Sequence, residues 1–325
     1  MIEKSANTNT GDKNSRPTDV SRRQFLGRSA SAIVATSAAG VVGVASTASS
    51  QDKTSDVVDT SARWNAKPGD LYTESEGYSD EDIQGWRGRT VYGVSIGVIQ
   101  LEAQIPMPPG DMGNATTFPF PLLYERLGKI DPNWVVSSEP HPEVTKRSIA
   151  AAKRLEMQGV RAIVGNCGFF ANYQPQVAKE ISVPFFSSSL MQIPMVMASI
   201  RPDQVVGVMT ANGATLKSAP ALKYSGVTDM ARVVIYGAEH GENMKKILSD
   251  SDNYNMKGLE QELVALAQKM VREHPEVGAV VLECTEFPPH AFAIQKAIRR
   301  NVWDFTTLVN WMHYGSVRRS FTGWM

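Results

Sequence analysis

Val280-Val281-Leu282-Glu283-Cys284-Thr285-Glu286-Phe287-Pro288 is an apolar run that ends on a cysteine and turns at a proline. Ala162-Ile163-Val164-Gly165-Asn166-Cys167-Gly168 repeats that design upstream, and the 325-residue chain has no other cysteine. Each run has the length and branched content of a buried strand, and a segment of helical character follows each. In open α/β sheets the C-terminal ends of strands are where ligands bind. A helix N-terminus directly after the cysteine is expected to favour the thiolate. Two other accounts of such cysteines exist. Free cysteine is commonly a small buried hydrophobe, and a structural disulfide would need Cα atoms within about 7 Å. Two thiols at matching strand ends, with none elsewhere, point instead to Cys167 and Cys284 as an acid and a base on opposite sides of one substrate.

Working outward from these runs, regular structure is expected to begin with a buried strand over Val91–Glu102. A Pro/Gly-rich loop over Pro106–Pro121 follows, containing Pro108-Pro109-Gly110-Asp111 and Asn114-Ala115-Thr116-Thr117-Phe118. Its length and polar content favour a binding loop, with Thr116 a candidate contact. Trp134–Ser138 reads as a short strand, Glu143–Gln158 as a helix ended by Gly159, and Val160–Asn166 as the strand leading to Cys167. A helix over Gln174–Ile181 and a strand over Val183–Phe186 close the first round. Ser187-Ser188-Ser189 then offers hydroxyls for a carboxylate, with Ser188 the candidate, or caps for the next helix. The second round reads as strands over Val205–Met209, Arg232–Tyr236, Val277–Glu283 and Val302–Asp304. Helices are expected after Thr215 and over Leu259–His274, His290–Arg299 and Thr306–Gly315. Two rounds of alternating strands and helices imply an α/β protein of two pseudosymmetric parallel-sheet lobes, with the active site in the cleft between them. The lobes are assigned to residues 91–187 plus 306–325 and to residues 188–305.

Composition narrows the function. The 33 basic and 33 acidic side chains balance, which argues against a nucleic-acid binder. The five histidines are scattered and there is no Cys/His cluster with metal spacing, so no metal is expected. Neither a P-loop nor a Rossmann glycine pattern is present, so no cofactor is expected either. Near the start, Ser21-Arg22-Arg23-Gln24-Phe25-Leu26-Gly27 precedes a weakly apolar run from about Ala30 to Ala48. That is the pattern of a twin-arginine export signal, assigned to residues 1–48. Residues 49–90 read as a polar linker and arm. The expected location is therefore periplasmic or extracellular, with the twin-arginine export machinery as a partner.

Asn166-Cys167-Gly168 and Cys284-Thr285-Glu286-Phe287-Pro288 together resemble the two cysteine motifs of the aspartate/glutamate racemase superfamily, and the resemblance covers roughly residues 91–316. Glu286 follows the aspartate-racemase style, and the Thr210–Thr215 turn is similar to the family's turn for the substrate carboxylate. The loop through Pro109-Gly110-Asp111 is different, and is similar to that of the algal dimethylsulfoniopropionate lyases, a divergent branch. The resemblance implies a cofactor-independent enzyme, a small carboxylate substrate and a homo-oligomer. It adds Thr210, Thr215 and Glu286 to the substrate-binding candidates.

The chemistry common to these options is removal of a proton α to a carboxylate by a thiolate. Free cysteine has a pKa of about 8.5, so the site must assist its ionisation. Backbone N–H groups after each cysteine, at Gly168 and Thr285, together with the Asn166 and Thr285 side chains, would steady the enediolate-like charge. The leading expectation is a racemase or epimerase in which the opposite thiol returns the proton. The alternative is a lyase that expels a β-substituent. A periplasmic solute-binding protein is the third, since a two-lobed cleft also suits capture. Glu286 and His290 are the groups placed to tune Cys284, and His290 is equally expected as a surface residue at a helix start.

Overall fold

The computed structural model describes residues 92–318. The expected export signal, and the arm up to residue 90, lie outside the described residues. Among the described residues, eight strands form two four-stranded sheets. The first contains β1 (Ile96–Gln100), β2 (Leu122–Arg126), β3 (Ala162–Gly165) and β4 (Phe185–Phe186). The second contains β5 (Val205–Thr210), β6 (Val233–Gly237), β7 (Val277–Leu282) and β8 (Asn301–Trp303). Their spatial orders, β2-β1-β3-β4 and β6-β5-β7-β8, are the same, and every pairing is parallel.

The register makes the repetition exact enough to pair residues. Ile99 lies beside Gly165 in the first sheet, and Met209 beside Leu282 in the second. Gly97 therefore corresponds to Gly207, and Asn166 to Glu283. Both glycines lie under a crossover helix. A Cβ on Gly97 would come within 3.0 Å of Leu155, and one on Gly207 within 2.7 Å of Met270. Those residues belong to the long helices Pro142–Met157 and Met256–Glu273, which present buried stripes led by Val144, Ala151, Ala152 and Leu155, and by Leu259, Leu263, Ala267 and Met270. Apolar central strands covered on both faces are what a parallel sheet requires. The inner faces of the two sheets share one core, in which Ile163 and Phe170 of the first lobe join Val208 and Val281 of the second. The last helix, Phe305–Ser316, returns to the first lobe, packing Phe305, Leu308, Val309 and Met312 against Ile96, Val98 and Val164.

Four expectations change. Trp134–Ser138 holds no strand: Asp131 caps a short helix, Pro132–Val135, accepting from the Asn133 N–H at 2.9 Å. The strand missing from the first lobe is β2, inside a half-buried edge segment whose Glu125 and Arg126 disguise it. A helix over Glu242–Leu248 was also not expected. Finally, neither cysteine opens directly into an α-helix. Short 3-10 turns, Gly168–Tyr173 and Pro288–His290, intervene, and the α-helices start at Gln174 and Ala291. The helix macrodipole acts over about one terminal turn, so these helices are too distant to ionise the thiols.

Candidate functional site

Cys167 and Cys284 follow the third strand of their respective sheets. Both are free thiols and half-buried. The residue before each makes the same two contacts with the neighbouring first strand. Asn166 N–H donates to the Ile99 carbonyl at 3.0 Å, and Glu283 N–H to the Met209 carbonyl at 2.8 Å. The Asn166 Oδ1 accepts from the Leu101 N–H at 2.7 Å, and the Glu283 Oε2 from the Ala211 N–H at 3.1 Å. In both lobes a side-chain oxygen closes the backbone just past the strand end, which a buried N–H requires.

The lobes meet at these turns. The Thr285 hydroxyl donates to the Asn166 carbonyl at 3.0 Å. Glu283 also accepts from the Thr210 hydroxyl at 2.8 Å. Its other oxygen faces the first lobe, where a Cβ on Gly168 would come within 2.0 Å of Oε1. Gly168 therefore provides the space that the Glu283 carboxyl fills.

The long loop supplies the remaining parts. Gly110 has a positive φ of 101°, and a Cβ there would lie 3.0 Å from the Pro289 backbone, so glycine is needed on both counts. This packs the loop against the Cys284 turn and brings Asp111 to Glu286. Asp111 is held by the Gly113 N–H at 2.6 Å, and Thr117 clasps the loop, accepting from Gly110 N–H at 3.0 Å and donating to the Asp111 carbonyl at 2.5 Å. Asp111 Oδ2 and Glu286 Oε2 are both buried, and the two carboxyls are hydrogen-bonded to each other. Tyr254 adds a buried ring, its hydroxyl donating to the Pro106 carbonyl at 3.0 Å.

Charge around the two cysteine turns is one-sided. Among the described residues no lysine or arginine is buried, whereas Asp111, Glu283 and Glu286 are. Burial raises the Asp111 carboxyl to about 6 and that of Glu283 to about 7, the latter held back by its Ala211 and Thr210 donors. Glu286 is pushed well above the carboxylate range, first by burial and then by the charge of Asp111. The pair thus holds one proton, carried by Glu286 and donated to Asp111. Both thiols are pushed up as well, by burial first and by Glu283 second, with Glu286 contributing to each. The expectation of thiols lowered by helix N-termini is therefore corrected: both are held in the neutral form.

The other sequence-derived candidates have varied places. Thr210 faces Glu283 rather than open space. Thr215 is half-buried in the first turn of the helix Gly213–Ser218, its N–H capped by Asn212 at 3.0 Å. Ser188 caps the 3-10 turn Ser189–Gln192, accepting from Leu190 N–H at 3.2 Å. Thr116 is exposed and bonds Asn114 at 2.7 Å, so the loop contributes Asp111 and Thr117 to this region, not Thr116. His290 is buried, not a surface residue, with Nδ1 3.7 Å from Glu260 and its pKa lowered by burial. The sequence alone assigns no role to Asp111 or Glu283. Two acidic residues flanking a cysteine at positions 283 and 286 were the visible signal.

The chain is 33% identical over 225 residues to dimethylsulfoniopropionate lyase 6 of Emiliania huxleyi (strain CCMP1516), covering 67% of this chain and 58% of that protein. It is 28% identical over 214 residues to the dimethylsulfoniopropionate lyase of Durusdinium sp. clade D, covering 65% and 71%. The chain thus spans a little over half the length of the first of these relatives. No family model matches it. Among solved structures, glutamate racemase from Francisella tularensis in complex with D-glutamate aligns over 71% of this chain and 85% of its own, at 18% identity and a TM-score of 0.46. The expected similarity to the dimethylsulfoniopropionate lyases is the one that the sequence matches return.

Proposed function

We propose that this relative of the dimethylsulfoniopropionate lyases is a cofactor-independent lyase acting on a small carboxylate with a cationic β-substituent. The observation that carries the proposal is the buried, hydrogen-bonded Asp111–Glu286 pair beside Cys284, which among the described residues no buried lysine or arginine neutralises. An onium group has no proton to donate and is recognised by negative charge and by aromatic faces, which Asp111 and Tyr254 supply. The substrate carboxylate then lies toward the neutral donors of the turns, the Asn166 side chain and the backbone N–H groups after Cys167.

In this reading the bound cation offsets the carboxylates that hold the thiols neutral. One cysteine ionises and takes the α-proton as its thiolate. The electron pair of the broken C–H bond forms the C=C bond, and the C–S bond to the onium sulfur breaks. Thiolate plus sulfonium carboxylate thus gives thiol, neutral sulfide and an alkene carboxylate. Neutral donors at the enediolate-like oxygen lower the barrier at the point where charge develops.

A second reading is a racemase or epimerase of a small amino acid or related carboxylate. It is favoured by one specific observation, a cysteine at the equivalent strand end of each lobe. Proton NMR in D2O separates the two. With dimethylsulfoniopropionate, vinyl protons and a volatile sulfide are expected. Exchange of an α-proton in aspartate or glutamate without new products would overturn elimination and establish the racemase. We also propose export by the twin-arginine route. Replacing Arg22 and Arg23 together with lysine is then expected to retain the protein in the cytoplasm, and unchanged export would refute the route.

A further inference from the structure

We propose that Glu283 shares one negative charge with the two cleft thiols, resting as the carboxylate and accepting the thiol proton when Cys167 or Cys284 ionises. This rests on the reading that the cysteines are the reacting groups, and it assigns the neighbouring carboxyl a proton-holding role.

Three observations support it. The first is place: Glu283 precedes Cys284 in the chain, while its Oε1 lies against Gly168, the residue after Cys167. One carboxyl therefore borders both cysteine turns. The second is the counterpart residue. Asn166 makes the same backbone contacts in the first lobe with a neutral amide oxygen. Closing the strand end needs only an acceptor, so the ionisable group at Glu283 is surplus to the fold. The third is the donor set. Thr210 and Ala211 both give hydrogen bonds to Oε2, which supports the charged form despite complete burial, so the group can take either state.

The proton balance is closed. Thiol plus Glu283 carboxylate becomes thiolate plus Glu283 carboxylic acid. The thiolate takes the substrate α-proton and is a thiol again, and Glu283 then releases its proton to water. Other ionisable groups near the thiols are Glu286 on the Cys284 turn, Asp111 on the long loop, Tyr254, and Tyr173 behind Cys167. Of these, only Glu283 ranks directly after burial in raising both thiols. Glu283 is thus a positioning residue acting through the cysteines.

The test is the pH dependence of alkylation of each cysteine by iodoacetamide, read by peptide mass spectrometry on the full chain without substrate. In Glu283→Gln the alkylation midpoint is expected to fall by at least one pH unit at both Cys167 and Cys284. A folded Glu283→Gln protein whose midpoint is unchanged at either cysteine overturns the proposal. Glu283→Asp provides a second arm: its charge is kept but withdrawn from Gly168, so the midpoint at Cys167 should fall while that at Cys284 stays. An unchanged Cys167 midpoint in that variant also overturns it. Because no substrate is used, a failed result here is distinct from a failure of the lyase reading, which activity of the cysteine variants decides.

Discussion

Asn166-Cys167-Gly168-Phe169 and Glu283-Cys284-Thr285-Glu286 occupy equivalent places in the two lobes, yet only the second is acidic. The backbone is the same in both: a strand end, a cysteine, and a 3-10 turn before the helix. The oxygen that captures the first strand's next N–H is an amide in one and a carboxyl in the other. Two residues after the cysteine stand a fully buried phenylalanine in the first lobe and a protonated glutamate in the second. The fold accepts either chemistry, and the proposed lyase reading assigns the difference to the ligand. In that reading, neutral donors at one turn and carboxyls at the other suit a molecule with a carboxylate at one end and a cation at the other.

The cysteines themselves give the largest test of that asymmetry. If the site eliminates a β-substituent, one thiolate suffices. Then either Cys167→Ser or Cys284→Ser should lower kcat by about a thousandfold, in the range for loss of a general base, and the other should cost far less. Equal, near-complete loss of turnover in both would mean that the lobes act as equals and would favour the racemase reading. Steady-state rates of sulfide release from dimethylsulfoniopropionate give the comparison.

The acidic wall is tested next. Because Glu286 carries the shared proton, Glu286→Gln keeps a donor to Asp111 and the pair's single charge, so KM should move less than about threefold. The double change Asp111→Asn with Glu286→Gln removes the charge altogether. Two unit charges 4 Å apart attract by ~4 kcal/mol at an effective dielectric of ~20, and desolvation returns part of that. A rise in KM of about tenfold or more is therefore expected for a sulfonium substrate. No rise in the double variant would remove the basis for a cation on this wall.

Glu283 makes the second lobe pH-sensitive where Asn166 leaves the first indifferent. Its carboxyl titrates at about 7 in the folded chain against an ordinary 4.5. The folded state therefore binds the proton more tightly than the unfolded one, and stability is lost as pH rises from about 4.5 to 7. At ~1.4 kcal/mol per unit the shift is worth about 3 kcal/mol. Urea denaturation at pH 5 and pH 7.5 should show this slope reduced by that order in Glu283→Gln relative to wild type. An unchanged slope would place the titration elsewhere.

Much of this was legible in the chain, for identifiable reasons. Buried parallel strands such as Val277–Leu282 announce themselves by unbroken apolar runs, and the long helices by their 3.6-residue periodicity. Strand β2 was hidden because an edge strand is only half covered and tolerates Glu125 and Arg126. The helix at Pro132 reads as a strand because Trp134 and Val135 are β-prone, while the Asp131-Pro132 start outweighs them. In the site, Cys167 and Cys284 could be singled out by their rarity. The Asp111–Glu286 pair could not, because its members are 175 positions apart in the chain and meet only when Gly110 lets the loop fold onto Pro289. Nor could the raised thiols, since burial among carboxyls is a tertiary property that a strand–helix pattern does not encode.

The smallest effect concerns the seam between the turns. Thr285 Oγ1 donates to the Asn166 carbonyl across 119 positions of sequence, inside a buried contact between the lobes. Thr285→Val keeps the shape and removes the donor, leaving that carbonyl short of one bond. The cost expected is ~1 kcal/mol of stability, the usual net value of such a bond. Because Asn166 holds Leu101 through its side chain, loosening its carbonyl should affect the first lobe's turn before the second's. Hydrogen exchange is the sensitive measurement: amides at Leu101 and Asn166 should lose protection in Thr285→Val, while Ala211 and Glu283 keep theirs. Equal loss on both sides would mean that the two turns open as one unit, and that the neutral and acidic walls are mechanically a single element despite their different chemistry.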